Sequence, residues 1–178
     1  MLPDNIVSKV SRLQGRMLAT GSRAICNPAP TNTDEDWVIQ VTNLERLQLF
    51  RDFLTEDGWE HNVGEQYEGH MDLFSEEGEL SGFASFKKFV DGTIYNILLV
   101  GSHAAFRLWT TATGLAKAMN LTKKSERVEL FRAILYNEEI YVPPSLTLEY
   151  GAVRLEEGNL AFTSTMKLEF KDREVRVG

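Results

Sequence analysis

Cysteine is nearly absent from this 178-residue chain: Cys26 stands alone, so no disulfide can close within it. Three histidines, His61, His70 and His103, give no spacing that fits a structural zinc, and none has a matched serine or cysteine that would suggest a nucleophilic triad. A reducing, cytoplasmic setting follows as the expectation. Long apolar runs are also missing: nothing approaches the roughly 18 residues that a membrane span needs. The start, Met1-Leu2-Pro3-Asp4, lacks the basic flank and small-residue cleavage site of an export signal. The expected protein is soluble and has no membrane partner. Basic residues are outnumbered, 19 against 26 acidic, for a formal net charge of -7. That balance excludes a sequence-blind clamp on nucleic-acid phosphates, so any contact with nucleic acid must be local.

What remains has the composition of a folded domain, 43% hydrophobic and 25% charged. Ile6, Val10, Leu13 and Met17 recur at helical spacing and predict a helix over 4–15. Met17 to Thr20 reads as a short buried strand ending in a tight Gly21-Ser22 turn, followed by a loop through Pro28 and Pro30. Asp36 to Val41 resumes as a strand. Asn43 is placed to cap a helix with Leu47, Phe50 and Leu54 on one stripe, closing at Asp57-Gly58. Short strands are expected near 59–63 and 69–74.

The best local signal is Phe83 to Val100, two β-rich runs joined by Asp91-Gly92, the dipeptide of a two-residue type I′ turn. Such a turn pairs Val90 with Thr93, Phe89 with Ile94, Lys88 with Tyr95 and Lys87 with Asn96. Two helices follow, one after Gly101-Ser102 carrying Ala105, Leu108, Ala112 and Leu115, the other after Thr122 carrying Val128, Phe131 and Leu135. From Pro143-Pro144 the pattern changes to short alternating runs with a turn at Glu156 to Asn159. The expected domains are 1–142, α/β with a small mixed β-sheet and helices packed mainly on one face, and 143–178, a β-rich C-terminal tail whose strands from 145 onward could build an oligomer interface.

Chemistry concentrates at Gly21-Ser22-Arg23 and Thr33-Asp34-Glu35-Asp36. Alternation along an extended segment puts Asp34 and Asp36 on one face, about 7 Å apart, where both carboxylates can face one hard cation. Gly21, with no Cβ, lets backbone N–H groups and the Ser22 hydroxyl approach phosphates that the same metal would bridge.

This order, Gly21-Ser22 followed by Asp34-x-Asp36 and an apolar strand, resembles the nucleotidyltransferase superfamily of polymerase-beta-like fold. It looks most like minimal single-domain members, including bacteriophage-encoded ones, for which the setting would be the host cytoplasm. The resemblance covers residues 17–100 through its motifs and the helices to about 138 more loosely. It implies Mg2+ at Asp34 and Asp36, an NTP held by Gly21, Ser22 and Arg23, and transfer of a nucleoside monophosphate to a hydroxyl on RNA, protein or a small molecule. The third carboxylate of the pattern should lie on the strand 93–100, where the central polar residue is Asn96. Its carbonyl can ligate a metal, but it carries no charge and takes up no proton at neutral pH. Lys87, across the hairpin from Asn96, is placed to hold phosphate in the charge space of a second magnesium; it also fits as an edge-strand charge. Asp72 and Glu79 are the other candidates for the third carboxylate. The alternative function is a degenerate relative that binds a nucleotide or a host protein without turnover.

Gly101-Ser102 repeats the Gly-Ser dipeptide at a strand end with no Asp-x-Asp after it, and reads as a helix cap. The cations Lys117, Lys123, Lys124, Arg127 and Arg132 read as solvated helix charges or as a surface for RNA or an acidic partner. Trp37, Trp59 and Trp109 sit in apolar patterns and read as core.

Overall fold

The computed structural model describes residues 1–62, 73–74 and 83–135, and the backbone of four two-residue strands beyond them. The elements in order are α1 (Asp4–Arg12), β1 (Arg16–Thr20), α2 (Gly21–Ile25), β2 (Glu35–Gln40), α3 (Leu44–Glu56), β3 (Glu60–Asn62), β4 (Phe83–Val90), β5 (Thr93–Val100), α4 (His103–Ala118), α5 (Lys124–Leu135), and β6 (Leu155–Glu156), β7 (Asn159–Leu160), β8 (Glu169–Phe170) and β9 (Arg173–Glu174). The chain divides into two compact units, Met1–Ala24 with Pro30–Phe106, and Ile25–Ala29 with Arg107–Gly178.

The first unit is the mixed α/β architecture expected from the sequence. Its five strands run in the order β1-β2-β5-β4-β3. β2 and β5 are parallel neighbours at the centre, and the other pairs are antiparallel. Parallel pairing requires a crossover, here supplied by α3 and the chain that follows it. One hydrophobic cluster packs against one face of this sheet. Ile6 and Val10 of α1 and Leu47, Phe50 and Leu54 of α3 cluster with Ile39, Phe86, Ile97 and Leu99 of the strands. Full burial of each such side chain contributes about 1.5 to 3 kcal/mol, which holds Ile39, Phe86, Ile97 and Leu99 toward the helices.

Local chemistry sets the element ends. Asn43 accepts hydrogen bonds from the backbone N–H groups of Glu45 and Arg46 and starts α3 as anticipated. Helix α1 stops at Arg12, short of the expected 15, because Gln14 adopts a positive φ and the Gly15 backbone closes against the end of β2. The chain after Gly21 also differs from expectation, since the turn continues into the single helical turn α2 before the loop begins. The hairpin β4-β5 matches residue for residue, with Asp91 at φ 48° and Gly92 at φ 85° supplying the type I′ turn. Ser102 accepts the Ala105 N–H at 3.0 Å, so the second Gly-Ser is a cap at the start of α4.

In the second unit Trp109 packs on Phe131 with ring centroids 5.5 Å apart, as core. The α4 helix ends at Ala118, with Asn120 beyond it in the left-handed conformation, and Arg127 donates to the carbonyls of Leu121 and Thr122. One of the proposed surface cations is thus spent inside the unit. β6 pairs with β7, placing Glu156 opposite Asn159 where a turn was expected, and β8 pairs with β9. The boundary at Pro143-Pro144, the strand near 69–74 up to residue 72, Asp72, Glu79 and most of the tail at 145–178 lie outside the described residues. No helix among the described residues is long and apolar enough to cross a membrane.

Candidate functional site

The sheet's register assembles the site. Cross-strand partners share a face, so Thr20 of β1, Asp36 of β2, Asn96 of β5, Lys87 of β4 and Glu60 of β3 form one polar row across all five strands. Residues Trp37, Ile39, Phe86, Ile97 and Leu99 alternate with the row and point into the core cluster, so the row occupies the opposite face. Asp34, one residue before β2, alternates onto the row's face beside Asp36.

The two carboxylates meet at a single atom. Asn96 Nδ2 donates to Asp34 Oδ2 at 2.9 Å and to Asp36 Oδ1 at 2.8 Å, in a part-buried position. The other Asp36 oxygen presses on Gly21. A Cβ built at Gly21 would fall 1.9 Å from Asp36 Oδ2 and 2.8 Å from its Cγ, and Gly21 has φ +73°. Only glycine permits this approach. The Gly-Ser bend and the Asp-x-Asp strand therefore adjoin, at the far end of β1 and the near end of β2.

The loop between them is braced. Ser22 Oγ lies 3.4 Å from Thr33 Oγ1, and Arg23 Nη1 donates to the Thr33 carbonyl at 3.4 Å. Arg23 also stands 3.7 Å from Glu35 Oε2. Glu35 alternates with Asp34 and Asp36, so the guanidinium is drawn to the side of the strand away from the carboxylate pair. Burial works to raise the Glu35 carboxyl. Hydrogen bonds from the Met1 amino group and the Trp37 indole, with the charges of that amino group and Arg23, outweigh burial and hold it below its ordinary value. Tyr95, beside Glu35 in the ladder, is pushed up by burial and by that carboxylate's charge.

Gly21, Ser22, Asp34, Asp36 and Asn96 are thus brought together. Lys87 stands directly opposite Asn96 and is exposed, while Arg23 is held by Thr33 and Glu35. Sequence reasoning assigned no role to Thr33, Glu35 or Thr20. The i, i+2 spacing of Glu35 and Trp37 was the available signal for the hydrogen bond from the Trp37 indole to Glu35; Thr20, 3% exposed and paired with Asp36, becomes visible only once β1 and β2 are in register. Among the described residues no three His, Cys, Asp or Glu side chains group closely enough to hold a metal ion.

No protein-family profile matches this sequence, and no curated protein matches it either. Similar solved structures include the conserved protein GrpB from Enterococcus faecalis, 14% identical, with 75% of this chain and 88% of that chain covered and a TM-score of 0.41. Terminal uridylyl transferase 4 from Trypanosoma brucei with bound CTP is 11% identical, with 90% of this chain and 59% of that one covered and a TM-score of 0.43. The same enzyme with bound GTP is 13% identical, with 89% and 55% covered and a TM-score of 0.44. This chain spans less than two thirds of the uridylyl transferase.

Proposed function

We propose that this chain binds a nucleoside triphosphate together with Mg2+ and transfers the nucleoside monophosphate to a hydroxyl acceptor on RNA, protein or a small molecule, the bond between the α- and β-phosphates breaking to release pyrophosphate. The observation that carries the reading is the convergence of Asp34 and Asp36 on one point while Asp36 packs on a glycine whose bend leads to Ser22. The donor set fits the cation. Two carboxylates and an amide are hard oxygen donors once the amide presents its carbonyl, and the space a Cβ would take at Gly21 is filled by the Asp36 carboxylate. When bound, Mg2+ would offset triphosphate charge and align the phosphoryl centre for in-line attack.

The chain's own groups divide the remaining work. Asp34 and Asp36 hold the cation. Ser22 offers a hydroxyl donor to a phosphate oxygen at the bend. Lys87, on the face of Asn96, supplies an ammonium to phosphate on the other side of the carboxylates. Arg23 joins the phosphate only by leaving Glu35, so its contribution in the arrangement described is to hold the 21–35 loop. Asn96 takes up no proton, so the acceptor hydroxyl must lose its proton to an aspartate or to water.

That last point supports the second reading, a relative that holds nucleotide without turnover. Incubation with each labelled NTP, Mg2+ or Mn2+ and a cell extract separates the two. Label passing to an acceptor, and lost in Asp36→Ala, supports transfer; nucleotide retained with no labelled acceptor supports holding. No nucleotide binding under either cation contradicts both. Calorimetric titration of ATP into Lys87→Ala should show affinity reduced several-fold, and undiminished binding would remove Lys87 from the site.

A further inference from the structure

Two carboxylates brought together at the edge of a sheet repel one another unless something positive lies between them. Here that something belongs to the chain. Asn96 Nδ2 carries two N–H bonds, and both carboxylates lie within hydrogen-bonding distance of it, at 2.9 and 2.8 Å. Its backbone is pinned on both sides, to β2 opposite Asp36 and to β4 opposite Lys87, so only the side chain has freedom. The amide nitrogen has no lone pair to give a metal, whereas Oδ1 does. The terminal torsion of asparagine is broad and roughly two-fold, so the amide can turn without moving the strand.

We infer that Asn96 is a gate on the carboxylate pair: Nδ2 stands in for the cation when none is bound, and cation entry requires the amide to turn and present Oδ1. The inference rests on the reading of Asp34 and Asp36 as cation ligands and assigns this chain's residue at the third position a task that a carboxylate cannot perform. An aspartate there would add a third negative charge and remove the donor that Asn96 supplies to both carboxylates. The gate lets this site fold closed in the absence of metal, and it makes cation binding compete with two charge-assisted hydrogen bonds.

The test uses the full chain without nucleotide. Thermal unfolding of the wild type and of Asn96→Asp is measured in EDTA and in millimolar Mg2+. The wild type should melt at nearly the same temperature in both; Asn96→Asp should melt lower in EDTA and recover in Mg2+. Its Mg2+ affinity by calorimetry should be tighter by about tenfold or more, the scale of one competing charge-assisted hydrogen bond. In the wild type, the 15N–1H signals of the Asn96 side-chain amide, assigned by triple-resonance NMR on the wild type itself, should shift as Mg2+ is added. An Asn96→Asp melting temperature that is the same in EDTA and Mg2+ overturns the gate. So does an Asn96 amide pair that stays fixed while the Asp34 and Asp36 carboxyl signals respond to Mg2+, a result readable even if the variant fails to fold. Because no NTP is present, absence of nucleotide transfer counts against the proposed function and leaves this result standing.

Discussion

Replacing Gly21 by alanine tests the junction between the glycine bend and Asp36. The added methyl would meet Asp36 Oδ2 at 1.9 Å and Cγ at 2.8 Å, distances at which one of them must move. Two costs add. A left-handed φ of +73° strains any L-residue by about 1 to 2 kcal/mol. Displacing Asp36 takes it from the Asn96 donor at 2.8 Å, and losing a hydrogen bond to a charged group costs about 1.5 to 3 kcal/mol. Gly21→Ala should therefore destabilise by roughly 2.5 to 5 kcal/mol. Gly92→Ala is the control, since Gly92 has φ +85° and nothing within 4 Å of a built Cβ, so it should cost only the backbone term of about 1 to 2 kcal/mol. Urea unfolding followed by tryptophan fluorescence, with Trp37 and Trp59 reporting on this unit, measures both. In an Asp36→Ala background the excess of Gly21→Ala over Gly92→Ala should disappear, because the methyl then meets no carboxylate. Equal costs for the two glycine variants, within about 0.5 kcal/mol, would refute the contact.

Phe50, fully buried between α3 and the sheet, should cost about 3 to 5 kcal/mol when truncated to alanine, read from the urea midpoint at unchanged slope. Asn43→Ala removes the acceptor at the start of α3 and leaves a side chain at φ 80°, so a loss of about 1 to 2 kcal/mol is expected by the same measurement. Asp57 carries the pH dependence. Burial works to raise its carboxyl, but hydrogen bonds from Asn5, Trp59 and Lys88 and the charge of Lys88 hold it below the ordinary 3.8. A folded value below the unfolded one gives stability above 3.8 that is lost as pH falls through the folded value. The stability difference between wild type and Asp57→Asn should be constant near neutral pH and shrink below 3.8, and a difference that grows on acidification would reverse the assigned sign.

Local rules made much of this site legible. Asp91-Gly92 admits few backbone geometries, and one two-residue turn fixes the whole β4-β5 register, including Lys87 opposite Asn96. Period-two alternation alone predicted that Asp34 and Asp36 would share a face, and a common donor now joins them. The parallel pairing of β2 with β5 was not legible, because it depends on residues about sixty positions apart that no short pattern links. Nor was the fate of Arg23. The family resemblance implied a phosphate role for it; its ion pair with Glu35 forms only after the loop folds back. Asn96 was recognised as the missing charge and as a possible oxygen ligand; that its nitrogen would bridge both carboxylates required the strands to be side by side.

The most direct test of the account is Mn2+ binding in the presence of ATP, measured by electron paramagnetic resonance for the wild type and for the double variant Asp34→Asn/Asp36→Asn. The wild type should bind the Mn2+–ATP complex, and the double variant, which keeps the size of both side chains and removes their charge, should leave nearly all Mn2+–ATP free. Equal binding by the two proteins would contradict the assignment of this carboxylate pair to the nucleotide's cation.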